Sequence, residues 1–221
     1  MIRTSFIASL ALSSVAVAGD WTADGNHLSF TGPVEGGDSI VLDYLLEQAA
    51  GHDVIVDIET PGGLASEGIF MTEALAAYPG RVVTRAVGSG AWSAGAMMWI
   101  AGDQKLVATD SVVGFHLAYV PGCMSCDTSG INGLIGGVIS NAGMQGDRRA
   151  WPFLRTLLLD MAQVRDQYGP QGFVMLGGDG DRDLGNWWDF YPSAAELIDQ
   201  GDDHVGRTNE GPALEPRPVT D

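Results

Sequence analysis

The sequence predicts an α/β protein with a mainly parallel sheet covered by helices. Short apolar runs end at Gly or Pro clusters, and they alternate with stretches whose apolar residues recur at helical spacing. In addition, 45% of the 221 residues are apolar, enough for one well-buried domain and too few residues for two of ordinary size. His27 to Thr31 reads as a strand, and Gly32 to Gly37 as a turn. Asp38 or Ser39 can cap a helix whose apolar side is Ile40, Val41, Tyr44, Leu45 and Ala49. Asp53 to Ile58 is a buried strand ending at Thr60-Pro61-Gly62-Gly63. Ser66 can cap a second helix carrying Met71, Ala74, Leu75 and Tyr78, which stops at Pro79-Gly80. Val82 to Val87 is a strand closed by Gly88-Ser89-Gly90, and a third helix covers Ser93 to Ala101. Lys105 to Ala108 and Val112 to His116 are short strands. This β-α-β-α-β-α order is that of a parallel sheet. Residues 129–146, rich in Gly, Asn and Ser, read as a mobile connection, and Arg148 to Tyr168 as an amphipathic helix. Gly177 to Trp188 reads as a polar excursion in which Trp187-Trp188 serve as core or substrate wall, and Ser193 to Asp199 as a short helix.

Charge and punctuation narrow the setting. With 11 basic and 28 acidic residues the formal charge is −17, which repels phosphate backbones and argues against a nucleic-acid partner. Residues 1–18 have the form of an export signal: Arg3, an apolar stretch from Phe6 to Val17, and Ala16-Val17-Ala18 as the small-x-small cleavage pattern before Gly19. That stretch is too short for a permanent membrane span. The expectation is a mature catalytic domain over 19–205, a loose tail over 206–221, and a periplasmic or secreted location. In an oxidising space Cys123 and Cys126 are expected to pair. A redox centre would want them where a strand meets a helix, and a zinc site would need two further ligands; neither context is present, so no metal and no cofactor are expected.

Three segments fall at strand ends, where parallel α/β sheets bind ligands: Thr60-Pro61-Gly62-Gly63, Gly90-Ala91-Trp92-Ser93-Ala94-Gly95, and Phe115-His116. Consecutive glycines bare backbone N–H groups that can hold an oxyanion. A serine opening a helix among small residues suits a nucleophile, and a histidine at a neighbouring strand end suits its base. Singly, each has an ordinary reading as a turn, an N-cap or a buried polar group.

Taken in order, these residues resemble the proteolytic subunit of Clp protease and its relatives in the Clp/crotonase superfamily, from about Leu28 to Gly201. Phe30-Thr31-Gly32-Pro33-Val34 resembles that family's opening strand and turn, and Ile58-Glu59-Thr60-Pro61-Gly62-Gly63 its strand-end glycines. Ala91-Trp92-Ser93-Ala94-Gly95-Ala96 is similar to its serine motif, and Val113-Gly114-Phe115-His116 to its histidine strand. Asp189-Phe190-Tyr191-Pro192-Ser193-Ala194 resembles the segment bearing the triad aspartate. The resemblance implies a Clp/crotonase-like ββα-type spiral, with Ser93 as nucleophile, His116 as general base and Asp189 as its orienting carboxylate. Asp179, Asp181 and Asp183 compete for the last role. The N–H groups of Gly63 and Ala94 would form the oxyanion hole. The implied function is a serine endopeptidase acting on peptides or unfolded protein through an acyl-enzyme, as a homo-oligomer, with no ATPase partner because an exported enzyme meets no ATP.

The chain departs from the family pattern at the Cys123–Cys126 loop and after Gly201, where Asp202-Asp203-His204 replaces an apolar closing strand. A Ser-Lys dyad, used by relatives in the signal-peptide-peptidase branch, is disfavoured: Lys105 is the sole lysine and its position reads as a surface turn. Asp179 to Asp183 alternates carboxylates like a calcium loop, but Leu184 stands where the loop requires Gly, so a solvated acidic turn is the better reading. An acyl-CoA enzyme would need basic phosphate contacts that this acidic chain lacks. A catalytically silent peptide-binding scaffold of the same fold, or an esterase using the same triad, remain the alternatives.

Overall fold

The computed structural model describes residues 19–109, 111–123, 126–143, 151–168, 173–177 and 182–183. The chain opens with β1 (Asp20–Asp24) and β2 (His27–Thr31), an antiparallel hairpin pairing Trp21 with Phe30. Gly25 turns it at φ 64°. β1 escaped the sequence reading because all of it except Trp21 is exposed, so no apolar alternation marks it. Then follow α1 (Asp38–Gln48), β3 (Val54–Thr60), α2 (Ala65–Ala77), β4 (Val82–Trp92), α3 (Ala94–Ile100), β5 (Gln104–Val107) and β6 (Val112–Phe115). The described remainder is α4 (Ser129–Gly143), α5 (Trp151–Tyr168), β7 (Val174–Gly177) and β8 (Arg182–Asp183). The sheet runs β1-β2-β3-β4-β5-β8, with β6 on β4 and β7 on β6. Its centre, β2 to β6, is parallel as expected; β1, β7 and β8 edge it antiparallel.

β4 decides where the site forms. The sequence reading closed this strand at Gly88-Ser89-Gly90, yet it runs through to Trp92. Its first half pairs with β5 at Val83 to Ala86, and its end pairs with β6 at Ala91 and Trp92. Between them the register against β3 jumps, so that Ile58 faces Ala86 while Thr60 faces Ala91. Gly88 (φ 54°) and Gly90 (φ 103°) supply the bend, and the Glu59 carboxylate holds it by accepting the Ser89 N–H at 2.9 Å. β4 thereby leaves one neighbour and takes another.

α3 is buried along its whole length and forms the centre of the core with Trp99, Met98 and Ile100. α1 buries Leu42, Leu46 and Ala49, whereas Ile40, Val41 and Tyr44, placed on its inner side by the sequence reading, are exposed (Ile40 at 73%). The inner stripe starts one turn earlier, at Asp38. The expected side-chain caps are also absent: Gly37 and Leu64 occupy the N-cap positions of α1 and α2, and Ser66 lies inside the first turn. Residues 129–143, expected as a connection, form α4. Ile135, Val138, Ile139 and Ala142 recur at helical spacing and pack on α2, α3 and α5, which outweighs the poor helix propensity of its glycines. α5 buries Leu157, Met161 and Val164 as its periodicity predicts. Two short strands, β7 and β8, fall at and within the expected polar excursion. The expected leader (1–18), Trp187-Trp188, the helix expected over Ser193–Asp199 and the tail expected over 206–221 lie outside the described residues. Among the described residues no helix is long and apolar enough to cross a membrane.

Cys123 and Cys126 are disulfide-bonded, with Cα atoms 5.5 Å apart. Lys105 is not on a surface turn. It lies in β5, 4% exposed, and its ammonium donates to the Gly102 carbonyl. It pairs with Thr84, near the start of β4, whereas Ser93 follows the other end of that strand. The Ser-Lys dyad is therefore disfavoured by placement as well.

On the sheet surface Asp57 accepts two bonds from Arg85 at 2.7 Å each and lies 3.0 Å from His27 Nε2. Burial works to raise this carboxyl, but the Arg85 and His27 hydrogen bonds and charges outweigh it and hold Asp57 below the usual carboxylate range. A carboxyl depressed in the folded state stabilises fully above its unfolded pKa, and that contribution is lost as pH falls through the lower native value. Melting followed from about pH 7 to pH 2 should show the Asp57→Asn variant lower by about 1 kcal/mol at neutral pH, the network being partly exposed. The gap should begin to close below about pH 4 and vanish once pH has fallen beneath the lowered native value.

Candidate active site

Ser93 is the single residue between β4 and α3, and its backbone has φ 55° and ψ −112°. Among the described residues it is the only non-glycine with positive φ. Such a conformation costs about 1–3 kcal/mol and persists where surrounding structure enforces it. Two contacts do so here. The Ser93 N–H donates to Gly114 O at 2.8 Å, extending the β4–β6 ladder by one residue. On the other side Gly62 (φ 91°) presses against the serine: a Cβ at Gly62 would stand 2.5 Å from Ser93 Cβ. This sharp strand-to-helix turn lifts the hydroxyl above the sheet edge, as in nucleophile elbows.

The same ladder places the histidine. His116 follows the end of β6, two residues beyond Gly114, and its Nε2 lies 2.6 Å from Ser93 Oγ. The imidazole is held by rings: Phe173 at 4.5 Å and Tyr119 at 5.7 Å between centroids. Phe173 also meets Trp92 edge-on at 5.2 Å, so one aromatic braces both the histidine and the strand that presents the serine. β7 carries it there, since Val174 pairs with Phe115. Gly114 keeps this possible, because a Cβ at that position would overlap the Trp92 ring. Phe173 is not legible in the sequence because the strand it leads into, β7, is only four residues long and sits more than 50 positions from His116.

Gly63 forms an isolated parallel bridge with Val34: Val34 N–H donates to Gly62 O and Leu64 N–H to Val34 O, each at 2.9 Å. In such a bridge the N–H of the central residue points away from its partner, so Gly63 N–H faces away from Val34. Ala94 opens α3, where its N–H has no intrahelical acceptor. Gly63, Ala94, Ser93 and His116 all line one cleft of about 770 Å³, walled by the Pro33–Gly36 turn on one side and Tyr119 and Pro121 on the other. A serine hydroxyl bonded to an imidazole, beside two backbone donors in a cleft of this size, can perform acyl transfer.

Asp189, Asp179 and Asp181 lie outside the described residues. Asp183 is in β8, opposite Leu106 of β5 and thus level with Arg85, well before the Trp92 end of β4. That placement disfavours it as the partner of His116.

The architecture is a Clp/crotonase-like α/β fold, a mostly parallel sheet flanked by helices. Among solved structures it is similar to a point mutant of ClpP1 from Listeria monocytogenes, with a TM-score of 0.51 and 11% identity over 69% of this chain and 82% of that one. At that identity the likeness is one of fold. No protein-family model matches the sequence, and no curated protein matches it.

Proposed function

We propose that the chain is a serine peptidase with Ser93 as nucleophile, and the observation that carries this reading is the 2.6 Å contact between Ser93 Oγ and His116 Nε2 in the cleft. His116 Nε2 takes the hydroxyl proton as Oγ attacks the substrate carbonyl carbon. The carbonyl oxygen becomes an oxyanion held by the N–H groups of Gly63 and Ala94. His116 then passes the proton to the leaving amine, and the acyl-enzyme on Ser93 is hydrolysed by a water that His116 deprotonates. Asp189 is assigned to orient the imidazole. The ClpP-like fold supports a peptidase-type hydrolase, and the open cleft suits extended peptides or unfolded protein, cleaved without an ATPase. The leader pattern over residues 1–18 and the paired cysteines support work outside the cytoplasm, and the Clp resemblance supports a homo-oligomer.

Fluorophosphonate labelling of the protein lacking residues 1–18 tests the reading. Wild type is expected to label, and Ser93→Ala and His116→Ala are not; a folded wild type that stays unlabelled would return the chain to a silent scaffold. Turnover of matched peptide and ester substrates decides between peptidase and esterase. Asp189→Asn should lower kcat by about 10⁴, with Asp183→Asn close to wild type; the reverse ranking would move the triad to Asp183.

A further inference from the structure

Among the described residues Asp38 is an acid buried without a counter-charge. It is 0% exposed at the start of α1. Its Oδ2 accepts the Glu35 N–H at 2.7 Å, while Oδ1 is buried and accepts no hydrogen bond among the described residues. A buried oxygen left this way is costly unless a donor or cation reaches it. A second main-chain nitrogen that acts on this carboxyl, after that of Glu35, is that of Gly19. Gly19 is fitted tightly: a Cβ there would overlap the Phe30 ring and stand 3.0 Å from the Pro33 carbonyl. Gly19 is also the residue that follows Ala16-Val17-Ala18.

We propose that Asp38 is the receptor for the α-ammonium of Gly19, created when the leader is removed, and that this buried ion pair completes the folded enzyme. The inference rests on the export reading given above. Hydrolysis of the Ala18–Gly19 bond by an export peptidase adds one water: Ala18 leaves as a carboxylate, and Gly19 gains an ammonium. The new cation arises at a nitrogen that already acts on the Asp38 carboxyl, one of whose oxygens has no partner among the described residues. Before cleavage, burial raises the Asp38 carboxyl above its ordinary pKa, the N–H groups of Glu35 and Gly19 pull it partly back, and the like charge of Glu67 on α2 pushes it up again. Glu67 is itself fixed at this helix start by accepting the Ser39 N–H at 3.0 Å. An ammonium at Gly19 reverses the balance. The pair also bears on the cleft, because Asp38 holds Glu35, and the adjoining Val34 holds Gly62 and Leu64 on either side of Gly63.

The sign of the pH dependence follows. The amine gains a partner on folding, so its native pKa rises above the ordinary value of about 8. The stabilisation is complete below about pH 7.5 and lost as pH rises through the raised value. The test uses the chain from Gly19 to Asp221 with Ser93→Ala, so that melting is read without activity, in free-amine and Nα-acetylated forms. At pH 6.5 the free-amine form should melt roughly 5–10 °C higher. The difference should vanish above about pH 10.5 and be absent when Asp38→Asn is added to both forms. Equal melting at pH 6.5, or a difference that survives Asp38→Asn, overturns the pair. N-terminal sequencing of the exported protein separates the two readings: a start other than Gly19 sinks the export site and the pair together, whereas Gly19 with equal melting sinks the pair alone.

Discussion

Ser93→Ala is expected to lower kcat by a factor on the order of 10⁶, leaving only the acceleration that binding and the oxyanion donors provide. The protein should stay folded, because among the described residues the side chain makes one hydrogen bond, to His116, and its removal leaves no cavity in the core. Ser93→Gly separates the chemistry from the strain. Glycine adopts φ 55° without penalty, so this variant should be equally inactive yet more stable than wild type by about 1 kcal/mol. That figure is strain relief of about 1–3 kcal/mol less the extra backbone entropy glycine loses on folding. Denaturant unfolding beside peptide turnover checks both. An inactive Ser93→Gly protein less stable than Ser93→Ala would mean that the turn is not strained, and that the hydroxyl is presented by side-chain rotamer alone.

The second large effect is expected at Gly63. A Cβ there would overlap the Val34 carbonyl oxygen and stand 2.8 Å from Val34 C and N. These are backbone atoms held by two hydrogen bonds, so they cannot swing aside as a side-chain tip would. Gly63→Ala should therefore cost about 1–3 kcal/mol of stability through overpacking. If the displaced N–H is one of two oxyanion donors, kcat should fall by about 10²–10³ with little change in KM, because the donor acts on charge present only in the transition state. Gly36→Ala is the control in the same cleft wall, since a Cβ there meets nothing within 4 Å. Equal kcat losses in both variants would show that the wall as a whole, and not the Gly63 N–H, governs turnover.

The two candidate residues that the fold brings together, Ser93 and His116, were legible because their signals are local. A small-residue helix start follows one strand, and a lone histidine ends another. The parallel centre of the sheet was legible for the same reason, since β3 and the first half of β4 are apolar runs cut by Pro and Gly. The errors share a different cause. α4 looked like a connection because its glycines and serines are poor helix formers, and only its packing on α2 and α5 outweighs them. Lys105 looked exposed because a charged residue beside a turn usually is; here the Gly102 carbonyl satisfies its ammonium in the interior. The inner stripe of α1 was misplaced because Ile40, Val41 and Tyr44 are as apolar as the residues that are actually buried.

By itself the sequence determined the α/β class, the order of the central strands and helices, and the residue types at the strand ends, all of which follow from short-range periodicity and backbone preference. Tertiary structure alone decided that β4 changes partners midway, that Gly62 and Gly114 enforce the Ser93 backbone from two sides, and that Phe173 braces the imidazole. It also decided that the carboxyl of Asp38 is buried at the start of α1. These are contacts between segments far apart in the chain, and their energies depend on how the whole core closes, which no local pattern encodes.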